Sequence, residues 1–253
     1  MRRAQIRNIR RGMALLAAAL VFGGAVRVSA ITITTPAGAS TGGGPVSAEA
    51  DLTMSADTIT LTLKNLTVNP GNIAQNLSAF TFTLNSSFGS NSLTSSSGVE
   101  RTVNSNGTFT QGGSVATGWV ESNPSGNTLE LDVLTGTGHA GPAHTLIGAP
   151  DPTAPSNGLK YTSANGSIAG NGPHNPFLDE TATFTLHAVG VTAATSVTSA
   201  IFQFGTTDGS CQVSVTYSNP LDSGVPLPAA AWSGLVLLGV LAGLRWRRRA
   251  QAN

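Results

Sequence analysis

The sequence is short of cysteine, of charge and of helical periodicity. Its single cysteine, Cys211, excludes an internal disulfide framework. Charged residues make up 10% of the chain, and segment 31–224 has three basic residues against all 12 acidic ones, a formal charge of −9. A nucleic-acid-binding protein needs a basic face that neutralises phosphates. The composition therefore excludes nucleic acid as a partner of this segment.

The two ends of the chain, by contrast, are basic. Residues 1–30 contain six arginines and no acid. Their basic start is followed by an apolar run, Met13–Val26, and by small residues up to Ala30, an order typical of a secretory signal peptide. The apolar run is shorter than the roughly 20 residues that a membrane-spanning helix needs. We predict cleavage between Ala30 and Ile31 and export of the mature chain.

Alternation of apolar and polar residues dominates segment 31–224. Threonine fills most of the polar positions, which is typical of antiparallel sheets with one buried face. The alternating segments are residues 57–68, 78–85, 127–133, 182–189, 200–205 and 211–217. Because an apolar sheet face needs a partner, we predict an all-β fold, an antiparallel two-layer β-sandwich. A β-helix is the alternative, but the segment has no fixed repeat period.

Two parts of this segment depart from simple alternation. The phase slips at Asn65, which predicts a bulge or a strand end there. Residues 135–176 contain six prolines and many glycines, and we predict a long irregular excursion with room for one short hairpin. Cys211 has the parity of the apolar residues of its strand, so we expect it to pack as a small hydrophobe.

Candidate catalytic residues are few. The segment Gly38–Gly42 matches the G-x-S-x-G pattern around Ser40, but that motif acts at a strand-to-helix turn and no helical pattern follows it. The four histidines have no standard metal-ligand spacing, and we expect them at the surface. They are His139, His144, His174 and His187. We therefore expect no enzymatic activity and no cofactor.

Carboxylates are the remaining raw material for a site. Glu130 and Asp132 are predicted to share a polar strand face, although no groove between them is indicated, as a glycosidase pair would require. Asp179 and Glu180 end a loop and are weak candidates for calcium binding, since calcium takes oxygen ligands from loops.

Three aromatic residues outside the clear strand cores could form sugar-binding platforms: Trp119, Tyr161 and Phe177. For Trp119 a core position is the stronger expectation. The chain also has five N-x-S/T sequons, at Asn65, Asn76, Asn85, Asn106 and Asn165.

The C-terminal part of the chain has three successive features. A Pro-x-Pro motif, Pro226-Leu227-Pro228, precedes 16 uncharged residues, Ala229–Leu244, which as a helix would reach about 24 Å. Four arginines follow at once: Arg245, Arg247, Arg248 and Arg249. We predict a single transmembrane helix over about 229–244. Segment 31–224, the body of the protein, would then lie outside, and the tail with the arginines of 245–249 would lie in the cytoplasm.

These three features resemble the PEP-CTERM sorting signal. The resemblance covers residues 225–253, and the commonest form of the motif has Glu where Leu227 stands. It implies export by a Gram-negative bacterium, an inner-membrane intermediate, and processing by exosortase, a membrane-embedded enzyme similar to cysteine transpeptidases. It also implies deposition at the cell surface or in an extracellular matrix rich in polysaccharide, as in biofilms.

Two functions are compatible with these expectations. The first is an exported surface or matrix protein without catalysis of its own, processed at its C-terminal signal. The second is an adhesin-like module that binds polysaccharide or calcium and stays anchored by the C-terminal helix.

Overall fold

The computed structural model describes residues 29–154 and 158–216. In these ranges the chain is mostly β, with fourteen strands and one 3₁₀ helix, Ile73–Gln75. The strands are β1 Ser29–Thr34, β2 Ser40–Thr41, β3 Gly44–Pro45, β4 Ala48–Ser55, β5 Thr58–Asn65, β6 Leu77–Leu84, β7 Asn91–Val103, β8 Phe109–Val115, β9 Val120–Ser125, β10 Thr128–Asp132, β11 Leu146–Ile147, β12 Phe177–Ala188, β13 Val197–Phe204 and β14 Gln212–Thr216. The predicted β class is confirmed, and each alternating segment contributes a strand.

Twelve of these strands form one mixed sheet. Its main path runs β1-β4-β5-β12-β11-β6-β10-β9; β7 and β8 attach to the second edge of β12, and β13 and β14 to the second edge of β6. Among the described strands, β11 and β12 form the one parallel pair, with Leu146 opposite Leu178. The prediction of a wholly antiparallel sheet is wrong at this pair. The chain between β11 and β12 is long enough for a parallel return, which a short hairpin cannot make.

The sheet divides into two groups of strands. The first group is β1-β4-β5-β12-β7-β8, the second is β14-β13-β6-β10-β9, and β11 pairs with both through β12 and β6. Apolar residues of both groups belong to one buried cluster, in which Leu61 and Phe184 come from the first group and Phe80 and Phe202 from the second. Alternation along each strand places these side chains on one face and the threonines on the other.

The excursion between β10 and β12 is folded against the rest of the chain. Strand β11 and an isolated antiparallel bridge between Asp151 and Lys160 lie within it, so the short hairpin is reduced to a single bridge. A second buried cluster fixes it to the body; its members are Val103, Ile147, Tyr161, Ile168 and Phe177. The described residues between β10 and β12 therefore contribute to a small core of their own.

Two local predictions can be compared with the strands. β5 ends at Asn65, where the alternation slips, and Leu66 and Val68 beyond it are 43% and 56% exposed. Cys211 immediately precedes β14 and packs, half-buried, against the main core on the predicted side. No helix in the described ranges is long and apolar enough to cross a membrane. The predicted span 229–244 lies outside the described residues.

Candidate functional site: a hydroxyl-bearing sheet face

The outward face of the first strand group carries mainly serine and threonine. Because neighbouring strands pair in register, these side chains form rows across β1, β4, β5, β12 and β7. One row is Thr32, Asp51, Thr62, Thr183 and Ser97, and the next is Ala30, Thr53, Thr60, Thr185 and Ser95. Strands in a sheet lie about 4.8 Å apart, and residues on one face repeat about every 6.6 Å along a strand. A third row contains Lys64 and consists of Thr34, Glu49, Lys64 and Thr181. We call these three rows the hydroxyl face.

The hydroxyl face has three charged side chains, Lys64 between Glu49 and Asp51, and they leave a formal charge of −1. Lys64 Nζ lies 2.6 Å from Glu49 Oε1 and 2.7 Å from Asp51 Oδ2, and Thr32 donates a 2.6 Å hydrogen bond to Asp51 Oδ1. The hydrogen bond from Lys64, followed by the one from Thr32, lowers the pKa of Asp51. The two carboxylates in turn raise the pKa of Lys64, Asp51 more than Glu49. The face therefore presents mainly neutral donors and acceptors.

Hydroxyl groups can both donate and accept hydrogen bonds, so this surface suits partners that do the same. Thr32, Thr60 and Thr183 are exposed. Ser97 and Ser114 share a 2.9 Å hydrogen bond that extends the hydroxyl face onto β8. Within the rows named above there is no aromatic or large apolar side chain. A neutral polyhydroxylated polymer has the matching chemistry.

A second polar cluster surrounds Arg101, where the excursion meets β7. The guanidinium lies 2.6 Å from Asp179 Oδ1 and 3.4 Å from Glu180 Oε1, and its Nη1 donates to the hydroxyl of Tyr161 at 2.8 Å. The ring of Phe109 lies 4.4 Å from the guanidinium carbon. The sequence indicated Tyr161, Asp179 and Glu180 only as separate candidates, because these residues and Arg101 are far apart in the chain and no local pattern connects them.

The weak calcium candidates belong to this Arg101 cluster. The carboxylates of Asp179 and Glu180 are both paired with Arg101, whose positive charge would repel a calcium ion at this position. Among the described residues there is no group of three or more His, Cys, Asp or Glu side chains placed to hold a metal. Burial raises the pKa of Tyr161, whose hydroxyl donates to Gly148 O at 2.8 Å. The cluster connects the excursion to the sheet.

The histidines do not share one environment. His139 and His187 are exposed as predicted. His144 is not at the surface: its side chain is 16% exposed, Nδ1 lies 2.8 Å from Thr117 O, and Nε2 lies 3.2 Å from Glu100 Oε1. His174 is half-buried, with Nδ1 2.6 Å from a backbone carbonyl. Both histidines are therefore less exposed than predicted, because His144 contacts the body and His174 contacts Ser167 within the excursion.

None of the three aromatic candidates forms a platform, and for Trp119 the expected core position is confirmed. Trp119 and Tyr161 are 2% exposed and Phe177 is fully buried. The indole of Trp119 packs 5.4 Å from the ring of Phe184 and donates to His144 O. Tyr161 and Phe177 form the second core. A platform would leave a ring face open to solvent, whereas these rings fill the space beneath the excursion.

Two other candidates occupy structural positions. Asp132 is 1% exposed and accepts hydrogen bonds from Leu134 N and the hydroxyl of Thr135, so it closes the turn after β10. It does not share an open polar face with Glu130, whose Oε1 accepts from Thr81 at 3.2 Å. Ser40 lies in the β2–β3 pair and donates to Thr41 O at 3.3 Å, so its motif is not at a strand-to-helix turn.

The five sequons separate into two groups. Asn65 and Asn76 are buried, and Asn65 Nδ2 donates to Gln75 O and Leu146 O. The other three asparagines are exposed: Asn85, Asn106 and Asn165. Only these three present an amide that a modifying enzyme could reach in the folded chain.

The predicted processing sites lie at or beyond the ends of the described chain. Ala30 and Ile31 are in β1, where Ala30 is exposed and Ile31 is 2% exposed. The sorting motif 226–228 and the arginines of 245–249 lie outside the described residues. No family model and no curated protein matches this chain.

Proposed function

We propose that the chain is an exported bacterial surface or matrix protein without catalysis of its own, and that its hydroxyl face contacts extracellular polysaccharide. The signal-peptide pattern of residues 1–30 and the PEP-CTERM-like segment 225–253 support export and exosortase processing. We further infer that the two strand groups are the two layers of a β-sandwich, followed by a transmembrane helix over about 229–244. The shared buried cluster supports the layered arrangement.

The hydroxyl face is the observation on which polysaccharide contact depends. Its repeated hydroxyls and low net charge match a neutral sugar polymer, which offers hydrogen-bond donors and acceptors at regular intervals. Each such hydrogen bond contributes only about 1 kcal/mol net. Attachment would therefore come from many weak contacts along the polymer, which suits a matrix component.

Replacing two neighbouring hydroxyls tests this contact. Thr62 and Thr183 are cross-strand partners, and changing both to Val keeps the side-chain shape while removing two donors. We expect binding to neutral polysaccharide, measured on a glycan array and by pull-down, to weaken about tenfold. The matched control is Thr83→Val with Thr128→Val, a pair in the other strand group whose hydroxyls lie 3.2 Å apart. Equal binding by both double variants would contradict a role for the face.

The second function, a calcium-dependent module that stays anchored, predicts a different result. If Asp179 and Glu180 held calcium, a chelator would abolish polysaccharide binding. Because Arg101 pairs with both carboxylates, we expect binding to be the same with and without chelator. Loss of binding on chelation would favour the calcium-dependent function.

A further inference from the structure

The two ends of the described chain leave the body at the same end. Ser29, the first residue of β1, pairs with Met54 beside the β4–β5 turn. Thr216, the last residue of β14, pairs with Ser199 near the start of β13. Backbone hydrogen bonds connect the loops at these positions, including Asn85 N to Ser196 O. We call this the tether end; its loops are residues 55–58, 85–90 and 189–196.

The excursion closes the opposite end, which we call the capped end. It leaves β10 after Asp132 and enters β12 at Phe177, which pairs with Arg101. β12 alone has twelve residues, so the two ends lie about 36 Å apart along the strands. The body therefore has a fixed direction relative to both of its chain ends.

The chain between the described residues and the predicted membrane span is short. Twelve residues separate Thr216 from Ala229, the first residue of the predicted span, and can reach at most about 40 Å. This connection starts from the tether end, so membrane insertion of the predicted span keeps the tether end within about 40 Å of the bilayer.

The chemistry of the tether end fits a lipid surface. Its loops contain one charged residue, Asp57, whose Oδ1 accepts a 2.7 Å hydrogen bond from Gly190 N. Val189 is 40% exposed and Phe88 is half-buried beside it. Charged side chains lie instead at the capped end, among them Asp151 and Lys160. A tip with a single carboxylate and a few apolar side chains can approach headgroups with little desolvation of charge.

We propose that, while segment 225–253 is in the membrane, the tether end lies against the periplasmic surface of the bilayer and the capped end points away from it. The strands then run roughly along the membrane normal, and the hydroxyl face is open to the side. This inference rests on the proposed membrane intermediate, and it adds which surface of the body meets the lipid headgroups.

Fluorescence transfer from two matched positions tests the orientation. The full chain is produced in a host without exosortase, so that segment 225–253 is retained, and is placed in nanodiscs of phosphatidylethanolamine and phosphatidylglycerol. In a Cys211→Ser background, a donor dye is attached at Ser87→Cys on the tether end or at Ser105→Cys on the capped end. Both serines are exposed in loops. The acceptor dye is attached to lipid headgroups.

We expect transfer from position 87 to be at least about twofold more efficient than from position 105, because the two ends are about 36 Å apart. Equal or reversed efficiencies in a membrane-bound protein would overturn the orientation and leave the anchor intact. A protein that stays in the soluble fraction would overturn both the anchor and the orientation.

Discussion

At the residue scale, Arg101 and Lys64 show how burial determines the contribution of an ion pair to stability. The side chain of Arg101 is 6% exposed and that of Asp179 is 20% exposed, whereas Lys64 and Asp51 are 33% and 38% exposed. Exposed pairs contribute little because water and salt screen them. Removing one partner of a buried pair leaves an uncompensated charge.

We therefore expect Arg101→Ala to lower the free energy of unfolding by about 3 kcal/mol, since Asp179 and Tyr161 lose their partner. Lys64→Ala is the control, with an expected loss below about 1 kcal/mol. Urea unfolding of the mature protein measures both. Similar losses for the two variants would show that the Arg101 cluster does not hold the excursion.

At the element scale, the edge strand β9 carries a glutamate that disfavours pairing with another chain. β9 is an edge strand among the described strands, and it pairs Glu121 with Leu131, whose side chain is fully buried. Cross-strand partners share a face, so Glu121 is directed inward. An inward charge on an edge strand disfavours pairing with another chain. Its Oε1 is buried without a hydrogen-bond partner, and burial raises its pKa.

A raised carboxyl pKa means that ionised Glu121 destabilises the folded state. This cost is absent below the pKa that Glu121 has in the unfolded chain, near 4.5. It grows as the pH rises towards and through the higher pKa that Glu121 has in the folded state. We expect Glu121→Gln to raise Tm at pH 7 and to change it much less at pH 4. Light scattering should show more self-association of the variant at pH 7. A Tm change of the same size at both pH values would contradict the assignment.

Strand β11 is positioned by a close backbone approach that only glycine allows. A Cβ at Gly148, the residue after β11, would lie 1.8 Å from Thr67 O. We expect Gly148→Ala to cost about 2 kcal/mol or more, because backbone must move to relieve the overlap. Gly172→Ala is the control, since a Cβ there meets nothing within 4 Å. Thermal unfolding compares them, and equal Tm values would contradict the packing of β11.

At the scale of the whole molecule, alternation predicted where the strands lie but not how the excursion folds. Period-two patterns such as Thr58–Leu63 report directly which side chains are buried, and the strand end at Asn65 followed from the same pattern. The pattern placed Asp132 on a polar strand face, and this prediction is wrong because a carboxylate that closes a turn can be buried. Trp119 was left with two alternatives and Tyr161 was predicted as a platform, because burial under a long loop depends on contacts that are distant in sequence.

The candidate site was accessible from sequence only in part. The threonines of β5 and β12 were predicted to face solvent, yet the rows of the hydroxyl face depend on strand order and register, which no local pattern encodes. Strand β11, which lies between β6 and β12 and runs parallel to β12, could not be predicted either. It has only two residues, both buried, and two residues are too few to show an alternating pattern.

We propose that this chain is an exported protein processed at both ends, and the intact mass of the mature protein tests this proposal most directly. The mass should be compared between cells with and without active exosortase. We predict a species that starts at Ile31 in both, and that ends upstream of the apolar segment 229–244 only where exosortase is active. A species from cells with active exosortase that begins near Ile31 and still ends at Asn253 would contradict the sorting claim.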